Sequence, residues 1–163
     1  MVIRTVSLCL IRKGDNILVQ EIVDPVVKQT FYRPIGGTVE YGENSKDTII
    51  REVKEEIDAE IKEPKLLFVI ENIFAYLDNV GHEVDFIYEA ELVDRSLYDN
   101  NEIQGIEGTT PFKAVWKSIH ELSSLTSHAQ AKLVPDGLLD LLLSGTSDPR
   151  NTVEHYRSSS IRT

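Results

Sequence analysis

Three glutamates within one predicted helix carry the clearest chemical signal in this sequence. Glu52, Glu55 and Glu56 are three and four positions apart, so an α-helix places their carboxylates on one side. Like charges at these spacings repel by roughly a few tenths of a kcal/mol per pair. They also lie in the C-terminal half of the helix, where the helix dipole disfavours anions. A divalent cation removes this conflict, because Mg²⁺ takes carboxylate oxygens together with substrate phosphates.

An E-x-x-E-E run taken alone is more typical of the solvated face of an amphipathic helix. This run has further residues at fixed distances from it. Gly36 and Gly37 stand upstream, Glu43 lies six residues after Gly37, and Arg51 lies eight residues after Glu43. The segment Gly37 to Ala59 therefore resembles the Nudix box, G-x5-E-x7-R-E-U-x-E-E-x-G-U, in which U is a bulky aliphatic residue.

The match to this motif is made residue by residue. The positions that meet it are Gly37, Glu43, Arg51, Glu52, Val53, Glu55 and Glu56. Two positions depart from it, since Asp58 stands where the motif has its final glycine and Ala59 replaces the last bulky aliphatic residue. That glycine ends the helix in a left-handed conformation, which Asp tolerates better than most residues. The departure therefore concerns the helix C-cap rather than the chemistry.

The resemblance implies a fold and an activity. The implied fold is a single α/β domain over residues 1–143, a Nudix-type α/β/α sandwich with a mixed β-sheet, followed by a polar tail over residues 144–163. The implied reaction is hydrolysis of a nucleoside diphosphate linked to another group. Mg²⁺ is the implied cofactor, with Mn²⁺ as a substitute.

The resemblance also assigns roles to residues of the box. Glu52, Glu55 and Glu56, with the backbone carbonyl near Gly37, are the implied metal ligands. Glu55 and Arg51 are placed among the catalytic residues, with Arg51 as the partner of a carboxylate. The structural members of the box are Glu43 and Gly36, and Glu43 and Arg51 are expected to orient the loop and the helix.

A general base is expected near the attacking water, and similar enzymes take a glutamate from a loop before the last strand. Glu107 is our first candidate, while Glu102 and Glu83 stay as alternatives. The segment Asp94 to Pro111 is predicted to be a long loop, and loops of that length are usually functional or mobile. We expect this loop to close over the substrate and to carry Glu107 to the water.

Substrate contacts are less well determined by the sequence. Tyr32 and Arg33 precede the Gly-Gly pair and are candidates to stack on a base or to contact phosphate, although packing within the sheet explains them equally well. Tyr76 follows the box by seventeen residues. A tyrosine near that spacing resembles the dinucleoside-polyphosphate branch, but tyrosines are common in strands.

The elements around the box follow from apolar periodicity and turn residues. Asn44 is a predicted N-cap with Asp47 three residues later, so a helix is predicted over Ser45 to Ile57. The predicted strands are Val2 to Ile11, Ile17 to Val23, Phe31 to Val39, Leu66 to Tyr76, Glu83 to Leu92 and Phe112 to Trp116. A helical turn is predicted over Ser118 to Leu122 and a last helix after Pro135-Asp136-Gly137.

Composition excludes several classes of protein. The chain has 163 residues, of which 41% are hydrophobic and 27% charged, typical of a globular domain. A net charge of −10 argues against binding to nucleic acid or to anionic membranes. Its single cysteine, Cys9, excludes an internal disulfide framework. The sequence shows neither a membrane span nor a signal peptide, so a cytoplasmic location is expected.

We therefore predict a Mg²⁺-dependent Nudix pyrophosphohydrolase acting on a small nucleotide. The alternative is a Nudix-fold domain that binds nucleotides as a sensor without cleaving them. The three intact glutamates argue against the sensor, which has no need of them. The sequence leaves open whether the chain forms a homodimer.

Overall fold

The computed structural model describes residues 2–145 and 154–159. Three α-helices lie in this part of the chain, α1 (Ser45–Ile57), α2 (Ile119–Ser127) and α3 (Leu138–Ser144). The strands of the same part are β1 (Arg4–Lys13), β2 (Asn16–Asp24), β3 (Gln29–Thr38), β4 (Ile61–Tyr76), β5 (Asn79–Leu92), β6 (Glu102–Glu107), β7 (Thr110–Ser118), β8 (Ala131–Leu133) and β9 (Glu154–Ser159).

The sheet is mixed, with strand order β6-β7-β2-β3-β1-β5-β4-β9 and β8 added beside β3. β1 runs parallel to β5 and antiparallel to β3. β3 changes partner along its length, since residues 29–34 pair with β2 whereas residues 35–38 pair with β1. This change of partner places Gly36 opposite Leu8 and Gly37 opposite Ser7 of β1.

The helices cover both faces of the sheet. On one face, Ile49, Val53 and Ile57 of α1 pack in an apolar cluster with Cys9 and Ile35. On the other face, apolar side chains of α2 and α3 pack in a second cluster with residues of β1 and β4, including Leu122, Leu138, Leu8 and Ile70. The predicted α/β/α sandwich with a mixed sheet is therefore confirmed.

Helix α1 has the predicted bounds and the predicted ends. Asn44 is its N-cap, and the Asn44 side-chain oxygen accepts a hydrogen bond of 3.1 Å from the Asp47 backbone N–H. Asp58 follows the last helical residue with φ 49° and ψ 36°, a left-handed conformation. The helix therefore stops where the usual glycine would have stopped it.

The prediction of an unstructured loop over Asp94 to Pro111 is wrong. This segment contains a 3₁₀ helix at Arg95–Asp99 and strand β6, which forms an antiparallel hairpin with β7. Ile103 of β6 is buried in the apolar cluster beneath α1, and this burial supplies the packing that holds the strand. Only one residue of β6 is buried, so its sequence has too little apolar alternation to reveal the strand.

The C-terminal segment also differs from the expected loose tail where it is described. β9 pairs in parallel with β4, from Phe68 opposite Glu154 to Ile73 opposite Ser159. Residues 146–153 and 160–163 of the predicted tail lie outside the described residues. The three-residue strand β8 has no counterpart in the sequence prediction, and its pairing with Thr30 to Tyr32 of β3 stabilises it.

Candidate active site

The Gly36-Gly37 pair lets strand β3 lie unusually close to its neighbours. Gly36 has φ +142°, and a Cβ atom there would lie 2.1 Å from the Ser7 carbonyl oxygen. A Cβ atom on Gly37 would lie 2.5 Å from the carboxyl group of Glu52. Glycine is required at Gly36, where the backbone of β1 leaves no room for a side chain, whereas a side chain at Gly37 would displace the Glu52 carboxyl group.

Glu56 is the most buried of the three box glutamates. The residue is 5% exposed, and its Oε2 accepts a hydrogen bond of 3.1 Å from the Gly36 backbone N–H. Burial raises the pKa of Glu56 to about 7, although the positive charge of Arg33 and the Gly36 hydrogen bond act against this shift. A buried carboxyl group whose charge is costly is a group that a nearby cation would stabilise.

Arg51 links the loop before α1 to the other two glutamates. Its guanidinium donates to both carboxylate oxygens of Glu43, with Nε–Oε1 2.9 Å and Nη2–Oε2 2.8 Å. Its Nη1 donates to Glu52 at 2.9 Å and to Glu55 at 3.0 Å. These Arg51 hydrogen bonds are the main reason that the pKa of Glu43 falls to about 2. Arg51 therefore holds the carboxylates at fixed positions.

Glu52 faces an open space of about 440 Å³ between β3, β1 and the end of β6, which we call the cleft. The residues lining the cleft are Arg4, Val6, Arg33, Gly37, Thr38, Glu40, Glu52 and Glu107. Burial raises the pKa of Glu52, and the hydrogen bond from Arg51 opposes that rise. Glu55 is more exposed, with 59% of its side chain accessible, and the cleft lining does not include it.

Of the three candidate bases, Glu107 lies in the cleft. Its Oε2 accepts a 3.2 Å hydrogen bond from Gln20 Nε2, and its Oε1 lies 3.7 Å from Arg33 Nη2. Glu102, at the other end of β6, pairs with Lys113 at 3.1 Å. Glu83 forms an ion pair with Arg4 and lines a separate cavity. Glu107 reaches the cleft from the end of a paired strand rather than from a mobile loop.

The three predicted substrate residues are divided between different places. Arg33 lines the cleft and donates from Nη2 to the Gly36 carbonyl oxygen at 2.8 Å. Tyr32 is buried in the apolar core, where its hydroxyl donates to Glu21 at 3.0 Å. Tyr32 lines neither the cleft nor the separate cavity that Glu83 lines. Tyr76 lines the same cavity as Glu83, and its hydroxyl donates to Asp24 at 2.6 Å.

Sequence reasoning missed the residues that fix α1 from the sheet side. Ser7 of β1 donates from Oγ to the Ser45 carbonyl oxygen at 2.8 Å. The hydroxyl of Tyr88 in β5 lies 2.9 Å from Ser45 Oγ. Both contacts join residues about forty positions apart, so no local pattern in the sequence predicts them.

The donor atoms around the cleft suit a hard divalent cation. The box supplies carboxylate oxygens and a backbone carbonyl, which Mg²⁺ prefers over nitrogen or sulfur ligands. The buried Glu56 supplies a carboxyl group that gains from a cation. Among residues 2–145, no three side chains of His, Cys, Asp or Glu are already grouped as a metal site, and Glu52 and Glu55 instead bond to Arg51. The donor set therefore fits the ion, while Arg51 occupies two of the carboxylates.

The described chain therefore combines a mixed sheet between helices with a carboxylate-lined cleft at a Gly-Gly strand. The family model for the NUDIX domain matches residues 1–136. The chain therefore belongs to the Nudix hydrolase family and is a pyrophosphohydrolase, and this family acts on small nucleotides.

Solved structures share the fold at low sequence identity. A MutT protein from Bacillus halodurans is 16% identical with a TM-score of 0.60, over 97% of this chain and 92% of that one. A MutT NUDIX hydrolase from Burkholderia pseudomallei is 17% identical with a TM-score of 0.59, over 90% of this chain and 100% of that one. An ADP-ribose pyrophosphatase from Streptococcus suis is 14% identical with a TM-score of 0.58, over 96% and 100%. Identities this low support the fold alone.

No helix in the described part of the chain is both long and apolar enough to cross a membrane.

Proposed function

We propose that this protein is a Mg²⁺-dependent pyrophosphohydrolase that cleaves the diphosphate linkage of a small nucleotide in the cleft. The observation that carries the proposal is that Glu52, Glu107 and Arg33 all line the same cleft. A diphosphate needs positive charge around it and a group that accepts a proton from water. Arg33, together with a divalent cation held by the box glutamates, would supply the first, and Glu107 would supply the second.

Glu52, Glu55 and Glu56, with the backbone carbonyl near Gly37, would hold the ion. When bound, Mg²⁺, or Mn²⁺ in its place, neutralises the diphosphate and lowers the pKa of a bound water. Arg51 keeps Glu52 and Glu55 oriented through the hydrogen bonds described above, and Glu43 anchors Arg51. These residues set the geometry before substrate arrives.

In the proposed reaction, the oxygen of one water attacks one phosphorus atom and the bond from that phosphorus to the bridging oxygen breaks. Glu107 takes the proton of the attacking water, and the bridging oxygen leaves on the second phosphate. Arg33 contacts the phosphates, since its guanidinium lies at the cleft wall within 3.7 Å of Glu107. The products are two phosphate-containing fragments.

A sensor that binds a nucleotide without cleaving it is the second candidate function. The observation that favours it is that Arg51 already bonds to Glu52 and Glu55. A sensor would bind nucleotides with the same affinity with or without divalent cations and would release no product.

A substrate panel separates the two functions. The protein is incubated with Mg²⁺ and ADP-ribose, dinucleoside polyphosphates, dNTPs, capped or triphosphorylated RNA, and sugar nucleotides, and products are identified by chromatography. We expect cleavage of the diphosphate linkage in at least one class of small nucleotide. Glu52→Gln and Glu56→Gln should each abolish most turnover, while Glu60→Gln, an exposed residue just outside the box, serves as the matched control. Unchanged turnover by the double amide variant in EDTA would contradict the metal assignment.

We propose a cytoplasmic location and a small nucleotide as the main partner. Whether the chain forms a homodimer stays open, and size-exclusion chromatography with light scattering measures its oligomeric state directly.

A further inference from the structure

Gln20 is a buried polar residue in strand β2. Leu18 and Val19, just before it, are buried, and Gln20 itself is only 5% exposed. Burying an amide costs free energy unless hydrogen bonds replace its contacts with water. Gln20 Oε1 has no hydrogen-bond partner among the described residues, so one half of this amide is uncompensated. A residue that costs stability in this way calls for another explanation, and such conflicts are expected at functional sites.

The other half of the amide bonds to the proposed general base. Gln20 Nε2 donates to Glu107 Oε2 at 3.2 Å. Strand register sets Gln20 directly opposite Arg33 of β3, so the two side chains lie on the same face of the sheet. Arg33 Nη2 lies 3.7 Å from Glu107 Oε1, which is too long for a hydrogen bond. The hydrogen bond that fixes the carboxylate therefore comes from Gln20.

The position of Glu107 in its own hairpin explains why it needs such a contact. Glu107 is the last residue of β6, paired with Thr110, and Gly108 follows it in a turn with φ +60°. Its side chain is 54% exposed. An exposed glutamate samples several rotamers, and a misplacement of about 1 Å at a reacting group costs roughly 10²-fold in rate. A bond to a buried side chain of β2, which lies between β7 and β3, selects one rotamer.

The chemistry of an amide donor suits this task. A glutamine N–H holds one carboxylate oxygen without bringing a full charge or a second proton acceptor to that oxygen. With Oε2 engaged, Glu107 Oε1 receives no hydrogen bond from the described residues and stays open to a water. Gln20 itself does not line the cleft. Its effect on the reaction therefore passes through Glu107 and not through contact with the substrate.

We infer that Gln20 is a positioning residue, whose amide holds the Glu107 carboxylate at the cleft with Oε1 free to take the proton of the attacking water. The inference rests on the function proposed above, in which Glu107 is the base. Loss of the amide should lower kcat and leave substrate binding and stability intact. A residue needed only for packing would instead change stability.

Gln20→Met tests this inference with a side chain of similar size that has no donor. With Mg²⁺ and a substrate that the panel identifies, kcat should fall by about tenfold, the upper range for one hydrogen bond. KM should change by less than about twofold, because Gln20 lies outside the cleft. The free energy of unfolding should equal or exceed that of the wild type, because the unpaired Oε1 is gone and the exposed Glu107 carboxylate can bond to water.

Two further variants complete the comparison. Gln20→Glu keeps the shape of the side chain but removes both N–H donors, and its kcat should be no higher than that of Gln20→Met. Gln104→Met is the matched control, because Gln104 donates to Glu102 at 2.8 Å from an exposed position on the same hairpin. This control should retain wild-type kcat.

A double-mutant cycle shows whether Gln20 acts through Glu107. In a Glu107→Gln background, Gln20→Met should change kcat by less than about twofold, because the group that it positions is no longer a base. An equal loss of kcat in both backgrounds would overturn the inference. A Gln20→Met protein with wild-type kcat would overturn it as well.

The contact between the two residues is also measurable without hydrolysis. The side-chain NH₂ signals of Gln20, assigned by their loss in Gln20→Met, are followed in heteronuclear NMR spectra of the full chain. Glu107→Ala should shift these signals, whereas Glu102→Ala should not. If the substrate panel yields no product, the proposed function fails, and unchanged Gln20 signals in Glu107→Ala would overturn the inference separately. If the panel yields product but the cycle is additive, the hydrolase stands and the role of Gln20 is refuted.

Discussion

Individual carboxyl groups in this protein have very different environments although their sequence contexts look alike. Glu56 is buried against the Gly36 N–H, Glu52 faces the cleft, and Glu55 is largely exposed beside Arg51. Helical spacing predicts one shared face for the three, but the packing of α1 against β3 gives each a different degree of burial. Substitution of each of these glutamates should therefore have a different effect.

Replacement of Glu107 by Gln tests the general base. The amide keeps the size of the side chain but accepts no proton, so kcat should fall by a factor on the order of 10²–10⁴. The Kd for Mg²⁺ should change little, because Glu107 lies outside the box. Glu102→Gln, at the other end of the same strand, is the control and should retain wild-type kcat. A near-normal kcat for Glu107→Gln, with a loss in Glu102→Gln or Glu83→Gln, would show that the base is a different glutamate.

The pH dependence of stability tests the environment of Asp85. Burial and the nearby Glu83 raise its pKa from 3.8 to about 8. Because the fold favours the neutral acid, the stability that Asp85 contributes is complete below pH 3.8 and is lost as pH rises through about 8.

Urea unfolding of the metal-free wild type and of Asp85→Asn at pH 5 and pH 8 measures this effect. We subtract the free energy of unfolding of the variant from that of the wild type. From pH 5 to pH 8 this difference should fall by more than about 1.4 kcal/mol, the value of one pKa unit. Titration of other groups is common to both proteins and cancels in the difference. A difference that stays constant with pH would mean that Asp85 is ionised throughout.

At the scale of elements, α1 is fixed at both ends and on its sheet side. Asn44 caps its first turn, Ser7 and Tyr88 hold Ser45, and Asp58 ends it in a left-handed conformation. These contacts matter for the proposed function because every glutamate proposed to hold the metal ion belongs to this helix. A shift of the helix would move all of them together.

The C-cap at Asp58 gives a prediction about the stability of α1. Asp58→Gly relieves strain of roughly 1 kcal/mol in the left-handed conformation, but glycine adds roughly 0.4–1 kcal/mol of unfolded-chain entropy. The change should therefore be smaller than about 1 kcal/mol, with activity retained, since the exposed Lys54–Asp58 contact contributes little. Asp58→Val should be less stable than either protein, because β-branched residues disfavour φ 49°. Thermal melts compare the three, and a Val variant as stable as wild type would contradict this reading of the cap.

At the scale of the whole molecule, charge and packing are separated in space. The chain carries a net charge of −10, whereas Arg4 and Arg33 bring two positive charges to the cleft lining. The apolar clusters on the two faces of the sheet contain none of the glutamates proposed to hold the metal ion. Folding should therefore be independent of the ion, and catalysis should depend on it.

Removal of divalent cations tests this separation. EDTA should abolish hydrolysis while the far-UV circular dichroism spectrum stays native. Added Mg²⁺ should then raise the free energy of unfolding by mass action, by about 2.7 kcal/mol at a concentration 100 times its Kd. Glu56→Gln should reduce that increment. Loss of the native spectrum in EDTA would instead make the ion a structural component.

The sequence by itself determined α1 and the chemistry it carries. The helix bounds, the N-cap at Asn44 and the left-handed Asp58 all depend on neighbours within a few positions, which local patterns encode directly. The Gly36-Gly37 pair and the spacing of Glu43, Arg51 and Glu52 indicated the Nudix family for the same reason. Most strands of the sheet were also predictable, because their apolar residues are consecutive or alternate.

Tertiary structure alone decided the features that depend on distant partners. Strand β6 forms because Ile103 is buried and β7 pairs with it, and β9 is seen only as a neighbour of β4. The cavity that Asn72, Asp85 and Arg33 line likewise exists only once several strands are aligned, since Asn72 and Asp85 are thirteen positions apart and Arg33 belongs to another strand. Burial and strand register are properties of the assembled sheet, so no local pattern in the sequence specifies them.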